Sequence, residues 1–358
     1  MNKSRIVIYG LVLAVLAALV YMQFREWRTF DWGKFAENTR EVSWRHVIHG
    51  IIFTYLAYVV RAYRWKVFLR PVRKDASALR LISPTVVGFT GLALLGRPGE
   101  LIRPYLISRR LNLTFSSQLG VWAVERIFDL AAFTVLIVSG IFLPTKLRAF
   151  LATRPTYDHW LQVSGYSLSA LVLGLFLIAV VVNYRGPSIA DWVEKRFSHL
   201  AKGLGHRIAM RVREFAEGLN TIHGFWALLQ ASAASLLMWW MIAMSYKEVS
   251  HAYGAPMQAM SVTKVLLLMG SSMAGSMLQL PGVGGGAQLA TIEVLDKVFA
   301  VPREVAVSCG ILLWLVSFVA IVPVGLVLAH HERLSLRKVA KESEKAEEEE
   351  EASANATS

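Results

Sequence analysis

Apolar and polar positions in this chain separate on the scale of whole helices. Apolar runs at 6–24, 46–60, 81–95, 117–143, 165–183, 225–246, 262–280 and 305–329 are divided by short polar stretches. A spanning helix needs about 20 apolar residues, so the pattern predicts an all-α, polytopic membrane bundle of six to eight hydrophobic segments. Most of the runs are uniformly apolar. The run at 117–143 is not: at 100° per residue, Gln118, Trp122, Glu125, Arg126 and Asp129 fall on one face, with Val, Ile, Leu, Phe and Ala on the others. Such a stripe must face protein or a water-filled cavity rather than lipid.

A tally shows how unusual that helix is. Each charge near a helix centre costs about 2.5–3.5 kcal/mol on insertion, and each Leu, Ile, Val or Phe returns about 0.3–0.6 kcal/mol. The two sums are similar, so the helix inserts poorly alone and needs partners, most simply Arg126 with Glu125 or Asp129. A structural ion cluster and a functional site are both consistent with this stripe.

Along the chain, 6–24 follows Lys3 and Arg5, is too long for a signal-peptide core and lacks an A-x-A cleavage site. It is expected to be an uncleaved anchor with a cytoplasmic N-terminus. Residues 25–45, with five basic and four acidic side chains, suit the outer surface. Residues 61–80 hold seven basic residues, Arg61 and Arg64 among them, against Asp75; this stretch is expected to be a cytoplasmic loop. The run 81–95 is short and broken by Pro84, Gly88 and Gly91. It predicts a re-entrant hairpin, with a short tilted span as the alternative, turning at Gly96-Arg97-Pro98-Gly99. Pro104 predicts a helix boundary at Arg103. After an outer loop at 144–164 and a crossing at 165–183, residues 184–224 read as amphipathic helices near the cytoplasmic leaflet. The acidic tail, 341–358, reads as disordered, and the C-terminus as cytoplasmic.

The remaining runs repeat one plan. Residues 46–143 and 225–329 each give a helix, a short Gly-broken hairpin, a Pro-Gly turn and another helix. The first copy is expected to open to the cytoplasm and the second to the outside. Inverted repeats with interrupted segments in matching positions are the sequence signature of a transporter site near the midplane. Broken helices also expose backbone N–H groups that attract anions.

Composition agrees with a membrane protein: 358 residues, 55% hydrophobic, mean hydropathy +0.45. The net charge of +13 suggests nucleic acid only until its placement is considered. Basic residues bracket apolar segments instead of forming one face, so no nucleic-acid partner is expected and an anionic leaflet is. A lone Cys309 excludes an intramolecular disulfide. His46 and His49 share a helix face, but no carboxylate at ligand spacing joins them, so no metal is expected.

Gly282-Val-Gly284-Gly-Gly-Ala287 matches the dinucleotide pattern G-x-G-x-x-A, yet no strand precedes it, and a tight-packing or anion-cradling turn fits better. Asn112 and Asn355 head glycosylation sequons on the expected cytoplasmic side and carry no meaning there. Glu293 and Asp296 read as surface residues of the outer face. There is no nucleophile grouping and no phosphate loop, so neither a cofactor nor catalysis is expected.

Gly96-Arg97-Pro98-Gly99-Glu100 with Arg103, then Glu125-Arg126 with Asp129, then Pro281-Gly282-Val283-Gly284, resemble the flippase-like membrane domain of lysylphosphatidylglycerol synthases. The resemblance spans about 40–330 and implies a stand-alone member, since the chain ends at Ser358 without room for an aminoacyl-transferase domain. In that family the glycine turn is often followed by Glu; here Gln288 stands near that position. The resemblance implies movement of an anionic phospholipid or lipid-linked glycan head group between leaflets of the inner membrane. Arg97, Arg103 and Arg126 would bind the head group. Glu100, Glu125 and Asp129 would orient those arginines, and Pro281, Gly282, Gly284 and Gln288 would complete the chamber. Two other classes stay open: a non-transporting partner of a glycosyltransferase or lipid synthase, and a membrane-embedded enzyme acting on lipid phosphates.

Overall fold

The computed structural model describes residues 30–142, 225–276 and 285–332, together with 163, 166, 167, 170, 173, 174 and 342. The anchor at 6–24, the amphipathic region 184–224 and the turn carrying Pro281, Gly282 and Gly284 lie outside these residues. The crossing expected at 165–183 is described at five positions, all helical. Of the tail, only Glu342 is described. It is helical, and its Oε2 accepts a hydrogen bond from Tyr105 at 2.9 Å.

The described residues form an all-helical bundle without strands. The helices are α1 (Trp32–Arg40), α2 (Trp44–Leu69), α3 (Ala78–Leu95), α4 (Ile102–Leu111), α5 (Phe115–Phe142), α6 (Phe225–His251), α7 (Val262–Gly275), α8 (Gly285–Glu293) and α9 (Arg303–His331). A 3-10 turn, Arg97–Leu101, joins α3 to α4. A π-turn, Val294–Val298, prolongs α8, and another, Leu315–Val319, interrupts α9 shortly before Pro323. Among the described residues, three helices, α3, α6 and α9, are long and apolar enough to cross a membrane.

The helix α2 runs well past the apolar segment 46–60. Its continuation is not a basic loop: Arg61 and Arg64 lie in the helix and are buried, and the loop begins only at Arg70. The reason is local. Ala62, Trp65, Phe68 and Leu69 continue the 3.6-residue apolar period, and Pro71 is the first residue that breaks it.

The two halves of the bundle pack reciprocally. The helices α2 and α6 lie antiparallel along their length, as the pairs His46–Glu248, Thr54–Ser245, Arg64–Ser235 and Arg70–Gln230 show. The first arm of one hairpin, α3, packs on the last helix of the other half, α9; its counterpart α7 packs on α5. Glycine makes room at both places, with Gly325 against Thr90 and Gly140 against Leu266. The largest apolar cluster surrounds α6, α7 and α9 and includes Leu266, Leu268, Met269, Leu295 and the buried Cys309. A second gathers Trp65, Phe68, Leu81, Ile107 and Val121 beneath α5.

Candidate functional site

The helix α3 leaves its base, and α4 returns beside it. Arg110 near the end of α4 donates from Nη1 to the Arg80 carbonyl at 2.8 Å, while Gly88 and Gly91 meet Arg103 and Ile102. The pair is therefore an antiparallel hairpin with both ends on one side, as the short broken run predicts. Pro84 explains the Arg110 contact: a proline has no N–H to offer the carbonyl four residues back, and Arg110 takes that carbonyl instead. At the tip, Gly96 has φ +70°, a region costly for side-chain-bearing residues. Gly99 sits so close to Gly91 and Leu92 that a Cβ there would overlap their backbone.

Arg103 is helical within α4, against the boundary expected from Pro104. A proline in the first turn of a helix removes an N–H that has no intrahelical partner anyway. The break falls one residue earlier, where the 3-10 turn ends. This aims Arg103 into the bundle, where it is 3% exposed.

Across from it stands the polar stripe of α5. Thr114 helps start this helix, accepting the Ser117 backbone N–H at 3.3 Å. Gln118 is buried and accepts the Trp65 indole N–H at 3.1 Å. Glu125 is fully buried and meets four guanidinium groups. Arg64 Nη2 lies 2.7 Å from Oε1, Arg103 donates to both carboxylate oxygens, and Arg126 Nη2 is 3.3 Å from Oε2. Arg61 Nη1 is farther, at 3.7 Å. Asp129 meets Arg64 at 2.6 Å, Arg126 at 3.0 Å and Arg61 at 3.3 Å. Among the described residues, Arg64 Nε has no hydrogen-bond partner. Aromatic faces complete the surroundings: Arg103 lies 4.3 Å from the Trp65 ring centroid and Arg61 4.6 Å from that of Phe89.

Two members of this cluster, Arg61 and Arg64, escape a reading that assigns them to a loop. The available signal was their i, i+3 spacing between Tyr58, Trp65 and Phe68, which puts them on one face of a continuing helix. With them, four guanidinium groups confront two carboxylates, a formal excess of two positive charges.

That excess borders a small cleft, partly open to solvent and lined by Gly88, Phe89, Leu92, Glu100, Arg103, Trp122 and Arg126. The arginines divide by exposure. Arg61, Arg64 and Arg103 are closed off, whereas the Arg126 side chain is 44% exposed although its partners Glu125 and Asp129 are buried. Even counting Glu100, one positive charge remains unmatched beside the cleft among the described residues.

Of the residues singled out in the sequence, Glu100, Arg103, Glu125, Arg126 and Asp129 come together. Arg97 lies in the 3-10 turn at the hairpin tip, its side chain outside the described residues. Gln288 is buried on α8, which packs against α7 and α9, and it does not line the cleft. Glu293 and Asp296 pair with Arg303, at 3.5 and 2.9 Å. His46 and His49, expected to lack a carboxylate partner, have one: Glu248 of α6 lies 2.8 and 3.4 Å from their Nδ1 atoms. It is about two hundred residues away in sequence, beyond any local spacing rule.

A comparison with protein families matches residues 7–325 to the model described as the lysylphosphatidylglycerol synthase TM region. Neither curated proteins nor solved structures give a match.

Proposed function

The chain belongs to the lysylphosphatidylglycerol synthase TM-region family, and from that premise we propose that it carries the head group of an anionic phospholipid or lipid-linked glycan between leaflets. Membership and the apolar helices make it a membrane protein with a lipid-related function. The finer reading rests on one observation: the uncompensated positive charge at the cleft, with Arg126 open to it and Arg103 at its wall. A phosphate there gains charge-assisted hydrogen bonds from guanidinium groups already held in place by Glu125 and Asp129. The ordering cost of the binding groups is thus met in the fold.

On this reading the two carboxylates hold arginines rather than act as bases, and the protein is a translocator rather than an enzyme. Its partners are membrane lipids and a lipid-modifying enzyme beside it, with no nucleic acid. The basic stretch at 70–80 and the basic residues after α9 support the reading that both termini are cytoplasmic, in keeping with an inner-membrane protein.

The test is a scrambling assay in proteoliposomes with labelled phosphatidylglycerol, using phosphatidylcholine as the neutral control. Losing one charge-assisted hydrogen bond, ~1.5–3 kcal/mol, corresponds to roughly 10- to 100-fold weaker head-group binding. Arg126→Gln should slow the anionic lipid by that order and leave the protein monodisperse. Unchanged transport, or head-group binding that survives loss of both Arg97 and Arg126, overturns the proposal.

A further inference from the structure

The two ends of α2 carry different polar chemistry. Arg61 and Arg64 are near its C-terminus; His46 and His49 are near its N-terminus, about 22–27 Å from Arg64 along the helix axis. There the α6 partner is Glu248, and His251 follows one turn later on the same face. Each helix thus contributes an i, i+3 pair, H-x-x-H from α2 and E-x-x-H from α6, facing each other across an antiparallel contact.

Both imidazoles direct Nδ1 at one atom, Glu248 Oε2, at 2.8 and 3.4 Å. The three potential ligand atoms all lie within 4.8 Å of one another. The side chains are 36%, 45% and 23% exposed, so the group is reachable from solvent but held on two rigid helices. His251 stands edge-on to His46 with ring centroids 6.2 Å apart, and its Nε2 is 3.2 Å from the Met260 carbonyl.

We propose that His46, His49 and Glu248 form a binding site for a divalent transition-metal ion, with zinc as the best match. Two neutral imidazoles and one carboxylate are the N/O donor set of an open zinc site, which leaves a fourth position to water. Ligand atoms about 2.1 Å from one tetrahedral ion lie about 3.4 Å apart, so the widest pair, now within 4.8 Å, closes by up to about 1.4 Å. Partly exposed imidazoles make that adjustment by side-chain rotation. The His46 hydrogen bond and the His49 contact to Glu248 Oε2 keep the three groups together until a cation replaces the proton between them. The Met260 carbonyl accepts His251 Nε2–H and holds that ring beside His46. The bound ion would tie α2 to α6, and therefore one half of the bundle to the other, at the end remote from the arginine cleft. This inference does not depend on the lipid-moving reading.

The experiment uses the full chain without a histidine tag, stripped with chelator and dialysed. Zn2+ is titrated by calorimetry, bound metal is counted by elemental analysis, and Co2+ provides a ligand-field spectrum. One ion per chain is expected. His49→Gln or Glu248→Gln should weaken binding by at least about 10- to 100-fold, no less than the loss of a supporting residue. His330→Asn with His331→Asn, a second surface pair, should leave it unchanged. Should the ligand variants fail to fold, the wild-type Co2+ spectrum decides. Intense bands of a four- or five-coordinate nitrogen-ligated ion support the site; a weak hexa-aquo spectrum overturns it. Substoichiometric zinc, or binding unaffected by both ligand variants, also overturns it.

Discussion

The hairpins α3–α4 and α7–α8 are built alike and filled differently. Each carries a glycine of positive φ at the start of its return arm, Gly96 or Gly285. In each, a glycine brings the arms into backbone contact: Gly99 on Gly91, and Gly275 on Gly286. Each first arm leans on the last helix of the opposite half. The interiors then diverge. The first hairpin presses Arg103 onto a buried carboxylate, whereas the second meets Leu, Met, Val and Cys309. Small residues set the backbone plan, and that plan accepts either a charged or an apolar filling. The chemistry resides in a few ionisable residues of one half.

The strongest way to break this comparison is Glu125→Gln. It leaves buried Arg64 and Arg103 facing a neutral amide, and removing one partner of a buried pair costs about 3–5 kcal/mol. We expect thermal unfolding in detergent to fall sharply or folded protein to be lost. A change below about 1 kcal/mol, the value of an exposed pair, would mean that the cluster is not a latch. No single polar substitution in the second hairpin should match that loss.

An intermediate effect tests the similarity itself. Gly99→Ala and Gly275→Ala each push a methyl into neighbouring backbone, and overpacking costs about 1–3 kcal/mol. The two should destabilise to a comparable degree in the same unfolding measurement. A large difference would mean that the arms are not equivalent.

The smallest effect concerns the seam between the halves. Thr54 hydrogen-bonds the Gly50 carbonyl and lies 3.0 Å from Ser245 Oγ. Thr54→Val keeps the shape and should cost about 1 kcal/mol, visible as a small drop in melting temperature.

Much of this arrangement was legible before any coordinates. The face carrying Gln118, Glu125, Arg126 and Asp129 follows from helical periodicity alone, and the hairpin follows from a run too short and too glycine-broken to span. What escaped did so for physical reasons. Counting basic residues over 61–80 averaged the last turns of α2 with the loop beyond, so Arg61 and Arg64 lost their helical register. Pro104 lies in the first turn of α4, where a proline does not end a helix. Glu248 joins His46 and His49 only because α2 and α6 lie antiparallel, a tertiary fact with no local trace. The separation of Gln288 from the cleft is of the same kind.

The contact of Gly99 with Gly91 limits how this molecule moves. Two arms pressed main chain to main chain at the tip, with Arg110 bonded to Arg80 at the base, have no interior seam along which to part. On the proposed translocator reading, the hairpin would travel as one wedge, with the give coming from its flanks: the Gly325–Thr90 crossing with α9 and the ionic facing with α5. Alternating exposure would then be a matter of tilting a rigid body against two neighbours, with Arg103 carried along on the wedge and Arg126 staying behind on the wall.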